Sequence, residues 1–281
     1  MTQNTTGSRK FVAIVLAGDR GPDDPLLRAE KVPGKALIRI EEKVMLERVL
    51  EALLEADSIE KVVVSGPPAG VVEQSPTLQR LFAEPLVSWQ ENAASPSLSA
   101  ARALETLPIT TPVLLTTADH ALLTAEMVEF FCRGAQRNKA ADLAVGMEGY
   151  RLLQAAFPES RRTVTRFRDG GYCSCNLFAF LSPESRRAAT FWRQVEKERK
   201  KPLKLISLCG WPTVIRFLLG RLSLDDGLER LGRRLGIEAR AVRLPFAEAA
   251  IDVDKPADLE SVRRIVATRK LENSCDRKKS G

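Results

Sequence analysis

A loop rich in glycine and proline, residues 18–35, has the composition to hold a phosphate-bearing ligand. It contains Arg20 and Lys35, whose cations would neutralise phosphate oxygens, and its backbone N–H groups can form a concave anion site. The loop is not a P-loop, because Ala29 stands where the first glycine would be and Ala36 replaces the Ser/Thr. The GxGxxG dinucleotide fingerprint is also absent. A solvated loop without a ligand is the alternative interpretation.

Short apolar runs position this loop in a predicted parallel sheet. Runs rich in β-branched residues, typical of strands buried on both faces, are 11–17, 61–65 and 112–118. Helical spacing or capping residues predict helices at 44–56, at 95–107 and from 124 onward. This order is typical of a doubly wound α/β sheet, in which ligands bind beyond the C-terminal strand ends. Gly18, Gly66 and Asp119 are predicted to lie at that edge.

The second half of the chain is predicted to be less regular. Its predicted elements are strands at 162–168 and 174–181 around a turn at 169–171, helices over 182–201 and 202–235, a strand at 237–244 and a final helix at 256–270. We expect disordered tails at 1–10 and 271–281, because both segments are polar.

Charge is unevenly distributed along the 281 residues. The whole chain carries 43 basic and 36 acidic side chains, a net charge of +7. The first 150 residues hold 15 basic and 20 acidic side chains (−5), whereas the remainder hold 28 and 16 (+12). Such an uneven charge has to be explained by a binding partner, by a charged substrate or by a requirement for solubility.

Several classes of protein are excluded by composition. No apolar run reaches the roughly 18 residues that would span a bilayer, and the N-terminus shows no apolar core of a secretory signal. The five cysteines are odd in number and include no C-x-x-C, so neither a disulfide framework nor a zinc knuckle is indicated. A single histidine, His120, leaves little material for a histidine metal site. We therefore expect a reduced, cytoplasmic α/β protein.

Three motifs, in the same order, resemble those of the MobA-like nucleotidyltransferases. The first motif consists of VLAG at 15–18, KALI at 35–38 and VMLERV at 44–49. LTTADHALLT at 115–124 is similar to the family's metal-binding aspartate segment, and AIDVDKPADL at 250–259 is similar to its closing segment. The resemblance spans roughly residues 11–265. Each motif is weak alone, and their shared order makes the match fairly specific.

The resemblance implies a Mg²⁺-dependent enzyme that binds an NTP. The implied nucleotide ligands are Leu16, Ala17, Gly18, Asp19, Lys35, Ser97 and Ser99. The implied catalytic residues are Lys35, Arg20 and Asp119, and the implied metal ligands are Asp119, Asp252 and Asp254. Carboxylates suit Mg²⁺, which prefers hard oxygen donors. Turn capping by Asp119 and helix capping by Asp254 are the alternatives.

Three features depart from the family pattern. Asp19 replaces a glycine, and a carboxylate there would repel a triphosphate unless it faced metal, base or acceptor. The loop 18–35 is several residues longer than usual, so Arg28 rivals Arg20 as the phosphate-binding arginine. His120 either contacts the substrate or is a structural residue whose hydrogen bonds are made within the protein.

Residues for the acceptor lie in the second half of the chain. Related enzymes carry a Gly-rich turn and an asparagine that face the acceptor, which points to Asn176. Arg162 and Arg166 would suit an acceptor phosphate. The basic helix 183–204 is interpreted as a solvated or dimer helix, as an acceptor-binding element, or as a contact with an anionic membrane surface.

The resemblance also implies the architecture. We expect a three-layer α/β/α domain with a mixed, mostly parallel sheet, of the nucleotide-diphospho-sugar transferase type. It would form one domain over 11–270, with a nucleotide-binding half at 11–138 and an acceptor-binding half at 139–270. A helical insertion would occupy about 183–235 of the second half.

The expected reaction is transfer of NMP from an NTP to a phosphorylated acceptor, with release of pyrophosphate. The acceptor would be a small molecule or lipid-linked, a homodimer is a further expectation, and no nucleic-acid partner is expected. A glycosyltransferase using a nucleotide-sugar is the first alternative, although the usual Asp-x-Asp is absent at 119–121. A non-catalytic basic protein that binds anions or a membrane surface is the second.

Overall fold

The computed structural model describes residues 9–19, 21, 24–198 and 210–279 of the chain. Within this part, the strands are β1 (Phe11–Leu16), β2 (Arg39–Ile40), β3 (Lys43–Val44), β4 (Ile59–Ser65), β5 (Val87–Gln90), β6 (Val113–Thr117), β7 (Leu143–Gly149), β8 (Thr165–Phe167), β9 (Gly170–Phe180) and β10 (Ala239–Leu244). The helices are α1 (Pro25–Glu30), α2 (Met45–Leu54), α3 (Ala69–Glu73), α4 (Pro76–Phe82), α5 (Pro96–Glu105), α6 (Ala125–Arg137), α7 (Tyr150–Ala156), α8 (Arg187–Glu198), α9 (Trp211–Leu218), α10 (Leu224–Leu235) and α11 (Pro256–Lys279).

The central sheet has the strand order β10-β7-β9-β6-β1-β4-β5, and β8 pairs with β9 outside this path. Strands β1, β4, β5 and β6 pair in parallel, and so do β7 and β10. Strand β9 is antiparallel to both β6 and β7 and joins the two parallel groups. The predicted mixed, mostly parallel sheet is therefore confirmed.

Helices cover both faces of the sheet, as the buried apolar runs predict. Every residue of β1 is buried, and its side chains alternate between two apolar clusters. One cluster packs the sheet against α2, α6 and α11, whereas the other packs it against α5 and α8. This arrangement gives the three predicted layers, because a parallel strand needs an apolar partner on each face.

Local capping explains where several helices begin. The hydroxyls of Ser95, Thr124 and Ser223 accept hydrogen bonds from backbone N–H groups two or three residues into α5, α6 and α10. These caps confirm the predicted helix starts. The helical insertion lies between β9 and β10, and the part of it at 199–209 lies outside the described residues.

Several segments differ from the prediction. Helix α1 lies within the predicted loop 18–35, and β9 begins at Gly170, inside the predicted turn 169–171. The final helix, predicted to end at 270 before a disordered tail over 271–281, continues to Lys279. Residues 257–279 contain no glycine or proline, so nothing in the local sequence stops the helix. Strand β7 and helix α7 are not predicted, because Gly146 interrupts the apolar run and the helix is short. The division into domains stays a prediction.

Candidate active site

The ends of β1, β4 and β6 meet, as the sequence predicts. The N–H of Ala17 donates to the last carbonyl of β4, and the N–H of Ala118 donates to the Leu16 carbonyl, each at 2.9 Å. Gly66 has a φ of +96°, and a Cβ there would lie 2.8 Å from the Gly18 backbone nitrogen. Only glycine allows this close approach. The predicted nucleotide-binding segment therefore lies where three strand ends converge.

Asp19 bonds to the far end of the phosphate-binding loop. Its Oδ1 accepts a hydrogen bond of 2.9 Å from the backbone N–H of Lys35, at the start of the short helical turn Lys35–Leu37. Burial raises the pKa of the Asp19 carboxyl, whereas the Lys35 N–H and ammonium oppose that rise. The carboxylate that replaces a glycine of the family pattern thus links the two ends of the loop.

Lys35 forms a buried ion pair within the same loop. Its Nζ lies 2.9 Å from Oδ2 of Asp24, and the two side chains are 11% and 6% exposed. Asp24 also caps α1, because its Oδ1 accepts a hydrogen bond of 2.9 Å from the Leu26 N–H. A carboxylate of the chain itself therefore faces the ammonium predicted to bind phosphate. Arg20 lies outside the described residues, and its rival Arg28 is exposed on α1.

The two serines predicted beside the nucleotide are buried and hydrogen-bonded. Ser97 donates its hydroxyl to Glu196 of α8, and the Ser99 hydroxyl accepts a 2.8 Å bond from the Ala93 N–H. The first bond joins α5 to α8 and the second holds the loop before α5, so both hydroxyls have partners within the protein. Asn92 of this loop packs against Gly18, and its buried Oδ1 has no partner among the described residues. Sequence reasoning misses Asn92, which carries no motif.

Asp119 joins the second and third motifs of the chain. Its backbone carbonyl accepts a 3.0 Å hydrogen bond from the N–H of Val253, between the two predicted metal ligands Asp252 and Asp254. Its carboxylate accepts a hydrogen bond from the hydroxyl of Thr117 at the end of β6. The structure therefore brings together two segments that lie more than 130 residues apart in the chain.

Asp252 is held by two residues predicted to face the acceptor. Its carboxylate forms an ion pair with Arg162, whose Nη1 also donates to the Asp252 carbonyl at 3.0 Å. The other carboxylate oxygen accepts a 2.7 Å hydrogen bond from Nδ2 of Asn176. Three residues that the sequence analysis assigns to two different ligands thus form one cluster, in which the charge of Asp252 is balanced by Arg162.

The backbone of β9 aims Asn176 at this cluster. Asn176 has a φ of +51°, and the pairing of β9 with β7 is irregular beside it, between Val145 and Met147. A bulge of this kind re-aims a side chain, and asparagine tolerates the left-handed conformation better than most residues. The hydrogen bond from Nδ2 of Asn176 to Asp252 then holds the side chain in this direction. No local sequence signal predicts this bulge.

Asp254 lies at the start of α11 with a neighbouring cap. Its backbone N–H and that of Lys255 donate to Oδ2 of Asp258 at 3.2 and 2.9 Å. The other oxygen of Asp258 lies 3.9 Å from Nη1 of Arg162. Asp258 therefore links the start of α11 to Arg162. The sequence places Asp258 in the closing motif but does not predict that it belongs to the site.

A polar cleft of about 760 Å³ adjoins the cluster. Its lining includes Tyr150 and Gln154 of α7 and three cations, Arg161, Arg162 and Arg166. The predicted acceptor residue Arg166 projects from β8 and is exposed. Arg162 is already paired with Asp252, so it is Arg161 and Arg166 that favour an anionic ligand in this cleft, which Glu159 also lines.

His120 is enclosed behind Asp119. It is 1% exposed, and neither ring nitrogen has a hydrogen-bond partner of good geometry among the described residues. Burial and the charge of Arg162 lower its pKa to about 4, although the Ala249 backbone opposes this shift. The imidazole is therefore neutral at pH 7. Its enclosure favours a structural role over substrate contact.

Glu148 is a buried acid that sequence reasoning misses, because it lies on the unpredicted strand β7. Its Oε2 accepts a 2.9 Å hydrogen bond from the Ala250 N–H, and its Oε1 has no partner among the described residues. Burial raises its pKa to about 8, although the Ala250 N–H and the charge of Arg162 oppose the rise. Glu248 adds to it. Glu148 thereby positions the segment that carries Asp252.

The Glu148→Gln variant is expected to be more stable than the unmodified protein at pH 8.5 and to match it more closely at pH 6.5. The folded protein keeps the Glu148 proton up to about pH 8, whereas the unfolded chain releases it near 4.5. The folded state then binds more protons in this window, so the contribution of Glu148 to stability falls as pH rises through it.

Thermal unfolding between pH 6.5 and 8.5 measures this difference. His120, with its lowered pKa of about 4, titrates mainly below the window. Glutamine can still accept the bond from Ala250. The same pH dependence in both proteins would contradict the assignment.

The donor set suits Mg²⁺ at Asp119 and Asp252. No group of three or more His, Cys, Asp or Glu side chains arranged for a metal is found among the described residues. Magnesium bound with a nucleotide needs only one or two carboxylates, since phosphate oxygens and water complete its coordination. Asp119 and Asp252 are hard oxygen donors on adjoining segments, so their chemistry fits this ion, and Asp252 would share its oxygens with Arg162 and Asn176.

Comparison with known proteins now identifies the class. The model of the MobA-like NTP transferase domain family matches residues 13–239, and the chain belongs to this family. A hypothetical transferase from Thermus thermophilus is 33% identical, with a TM-score of 0.72, and the match covers 89% of this chain and 99% of that one. No curated protein sequence matches the chain.

More distant solved structures share the fold. CMP:2-keto-3-deoxy-manno-octonic acid synthetase, complexed with CTP, is 16% identical with a TM-score of 0.58, covering 93% of this chain and all of that one. 4-diphosphocytidyl-2C-methyl-D-erythritol synthase from Anaerococcus prevotii DSM 20548 is 13% identical with a TM-score of 0.56, covering 92% and 97%. The predicted nucleotidyltransferase-type fold is confirmed. Among the described residues, none of the helices has the length and apolar character needed to cross a bilayer.

Proposed function

We propose that the protein transfers a nucleotidyl group from an NTP, in the presence of Mg²⁺, to a phosphorylated acceptor. One observation carries this proposal. The cleft with three arginines adjoins Asp252, and the next residue, Val253, is hydrogen-bonded to Asp119 at the end of β6. An arginine-lined cleft and two aspartates whose segments are joined by a backbone hydrogen bond support this proposal, because ligands of such folds bind beyond the C-terminal strand ends.

The nucleotide would bind at the convergence of the strand ends. Backbone groups of 16–18 and the Lys35 ammonium would hold the phosphates, and Lys35 would exchange Asp24 for a phosphate oxygen or share it between them. Mg²⁺, when bound with the nucleotide on Asp119 and Asp252, would neutralise phosphate charge. The wall formed by Asn92 and the α5 start lies beside this segment.

The acceptor would bind in the arginine cleft. Arg161 and Arg166 would contact its phosphate, while Arg162 links the cleft to Asp252. A phosphate oxygen of the acceptor would attack the α-phosphorus of the NTP, a new P–O–P bond would form, and pyrophosphate would leave. Both reactants are anions, so catalysis rests on positioning and charge neutralisation. This chemistry requires no proton transfer from buried, neutral His120.

Pyrophosphate release tests the proposal. Each NTP with Mg²⁺ is incubated with a panel of sugar and alcohol phosphates, and NTP binding is measured by calorimetry. We expect one acceptor class to release pyrophosphate. Arg166→Gln is expected to raise the KM for that acceptor about tenfold, because a charge-assisted contact is lost, and to leave NTP affinity unchanged.

Two results would contradict the proposal. Absence of both pyrophosphate release and NTP binding across the panel would favour a non-catalytic binding protein. Hydrolysis of a UDP- or GDP-sugar without NTP turnover would favour a glycosyltransferase.

A further inference from the structure

Helix α9 presents an apolar face to solvent. Trp211, Ile215, Leu218 and Leu219 are 54%, 50%, 75% and 61% exposed. Their spacing of four, three and one residues places all of them on one side of the helix. The exposed apolar residues outside this region, such as Leu86 and Ile109, are isolated in the sequence. Exposed apolar side chains concentrated in this way mark an interaction surface.

The opposite side of α9 fixes it to the sheet. Phe217 packs edge-on against Phe167 of β8, with ring centroids 5.7 Å apart. The following segment is also tied to the β8–β9 hairpin. The Arg168 N–H donates to the Leu222 carbonyl at 2.8 Å, and the Leu224 N–H donates to the Asp169 carboxylate at 3.0 Å. Phe217 is 37% exposed, less than the four residues of the apolar face, so the side of α9 that contacts β8 is the less exposed one.

The insertion that carries α9 is basic in its sequence. Residues 183–235 contain 13 basic and 6 acidic side chains, a net charge of +7, which equals that of the whole chain. Arg216 and Arg221 lie within or next to α9 and are exposed, and Arg233 of α10 is exposed as well. An apolar helix face with cationic flanks is typical of helices that lie in a membrane interface.

The positive charge near α9 also indicates which partner would cover its apolar face. Two copies of this chain joined through α9 would bring the exposed Arg216 and Arg221 of each copy together, and their repulsion opposes a dimer through this face. A nucleic acid would neutralise the charge and leave Trp211 and the leucines in water. An anionic lipid surface satisfies both features, because acyl chains accept the apolar side chains and headgroups pair with the cations.

We propose that α9 docks the protein on an anionic lipid surface. The apolar face formed by Trp211, Ile215, Leu218 and Leu219 inserts at the headgroup level, and the exposed Arg216 and Arg221 beside it contact the headgroups. The inference does not depend on the proposed catalytic activity.

Flotation of the full chain with vesicles tests the proposal. We expect binding to phosphatidylcholine vesicles that contain phosphatidylglycerol in about 0.1 M salt, weaker binding in about 0.5 M salt, and little binding to pure phosphatidylcholine. The variant Leu218→Glu/Leu219→Glu is expected to lose about tenfold or more in partitioning, because two inserted side chains are replaced by carboxylates.

A matched control introduces two glutamates at exposed apolar positions outside the insertion. Leu86→Glu/Ile109→Glu replaces two exposed apolar residues outside the insertion, and it is expected to bind vesicles with only the modest loss that two added negative charges cause. Thermal unfolding checks that both variants are folded. The proposal is overturned if anionic vesicles do not bind the protein or if both variants lose binding equally. It is also overturned if the α9 variant abolishes a concentration-dependent dimer without changing vesicle binding.

Discussion

Replacing Asp119 with asparagine is expected to lower Mg²⁺-dependent nucleotidyl transfer by at least about 100-fold, because a charged metal ligand becomes a neutral amide. The fold should persist, since the bond to Val253 uses the Asp119 backbone carbonyl and an amide oxygen can still accept from Thr117. Calorimetry with NTP, in Mg²⁺ and in EDTA, separates metal-dependent binding from binding by the loop alone.

Asp57→Asn is a matched control for this variant. It removes the same charge from an exposed turn, and we expect it to leave binding and turnover unchanged. If Asp119→Asn bound Mg·NTP as tightly as the unmodified protein, the metal assignment would be wrong. The proposal of a non-catalytic binding protein would then gain support.

Lys35→Met is expected to weaken NTP binding between tenfold and 100-fold, the loss typical of a hydrogen bond between charged groups. It should also destabilise the fold by about 3–5 kcal/mol, because Asp24 stays buried without its cation. The double variant Lys35→Met/Asp24→Asn removes both charges. We expect it to recover most of the stability and none of the NTP affinity.

Asp24→Asn alone gives the opposite result for binding. Asparagine caps a helix as well as aspartate does, so α1 keeps its bond to Leu26. The Lys35 ammonium loses its carboxylate partner and becomes available to phosphate, and NTP affinity should rise. Calorimetry and thermal unfolding of the three variants measure both effects. A fall in NTP affinity in Asp24→Asn would show that Asp24 assists the nucleotide instead of competing with it.

The proposed site differs from the pattern implied by the family resemblance in how its charges are distributed. The long loop 18–35 contributes Asp19, which bonds to the Lys35 backbone, and Asp24, which pairs with the Lys35 side chain. The departures noted in the sequence therefore have a shared structural consequence. Asp19 and Asp24 both bind Lys35, one through its backbone N–H and the other through its ammonium group.

The sequence alone predicts those features that depend on neighbouring residues. The apolar run at β1 predicts a strand because both faces of a parallel strand are buried, and Ser95 predicts the start of α5 because a cap acts within three residues. Asp119 is predicted at a strand end for the same local reason. The order of the motifs then predicts the family, which the comparison confirms.

Only the tertiary structure shows which residues share the candidate site. Arg162 and Asn176 are 90 and 76 residues from Asp252, and a bulge in β9 is needed for the second contact. The burial of Glu148 depends on β7, whose pattern Gly146 interrupts. Similarly, the basic charge of the insertion is visible in the sequence, whereas the outward face of α9 is decided by the packing of Phe217 on Phe167. Pairing between distant segments, rather than local propensity, determines each of these features.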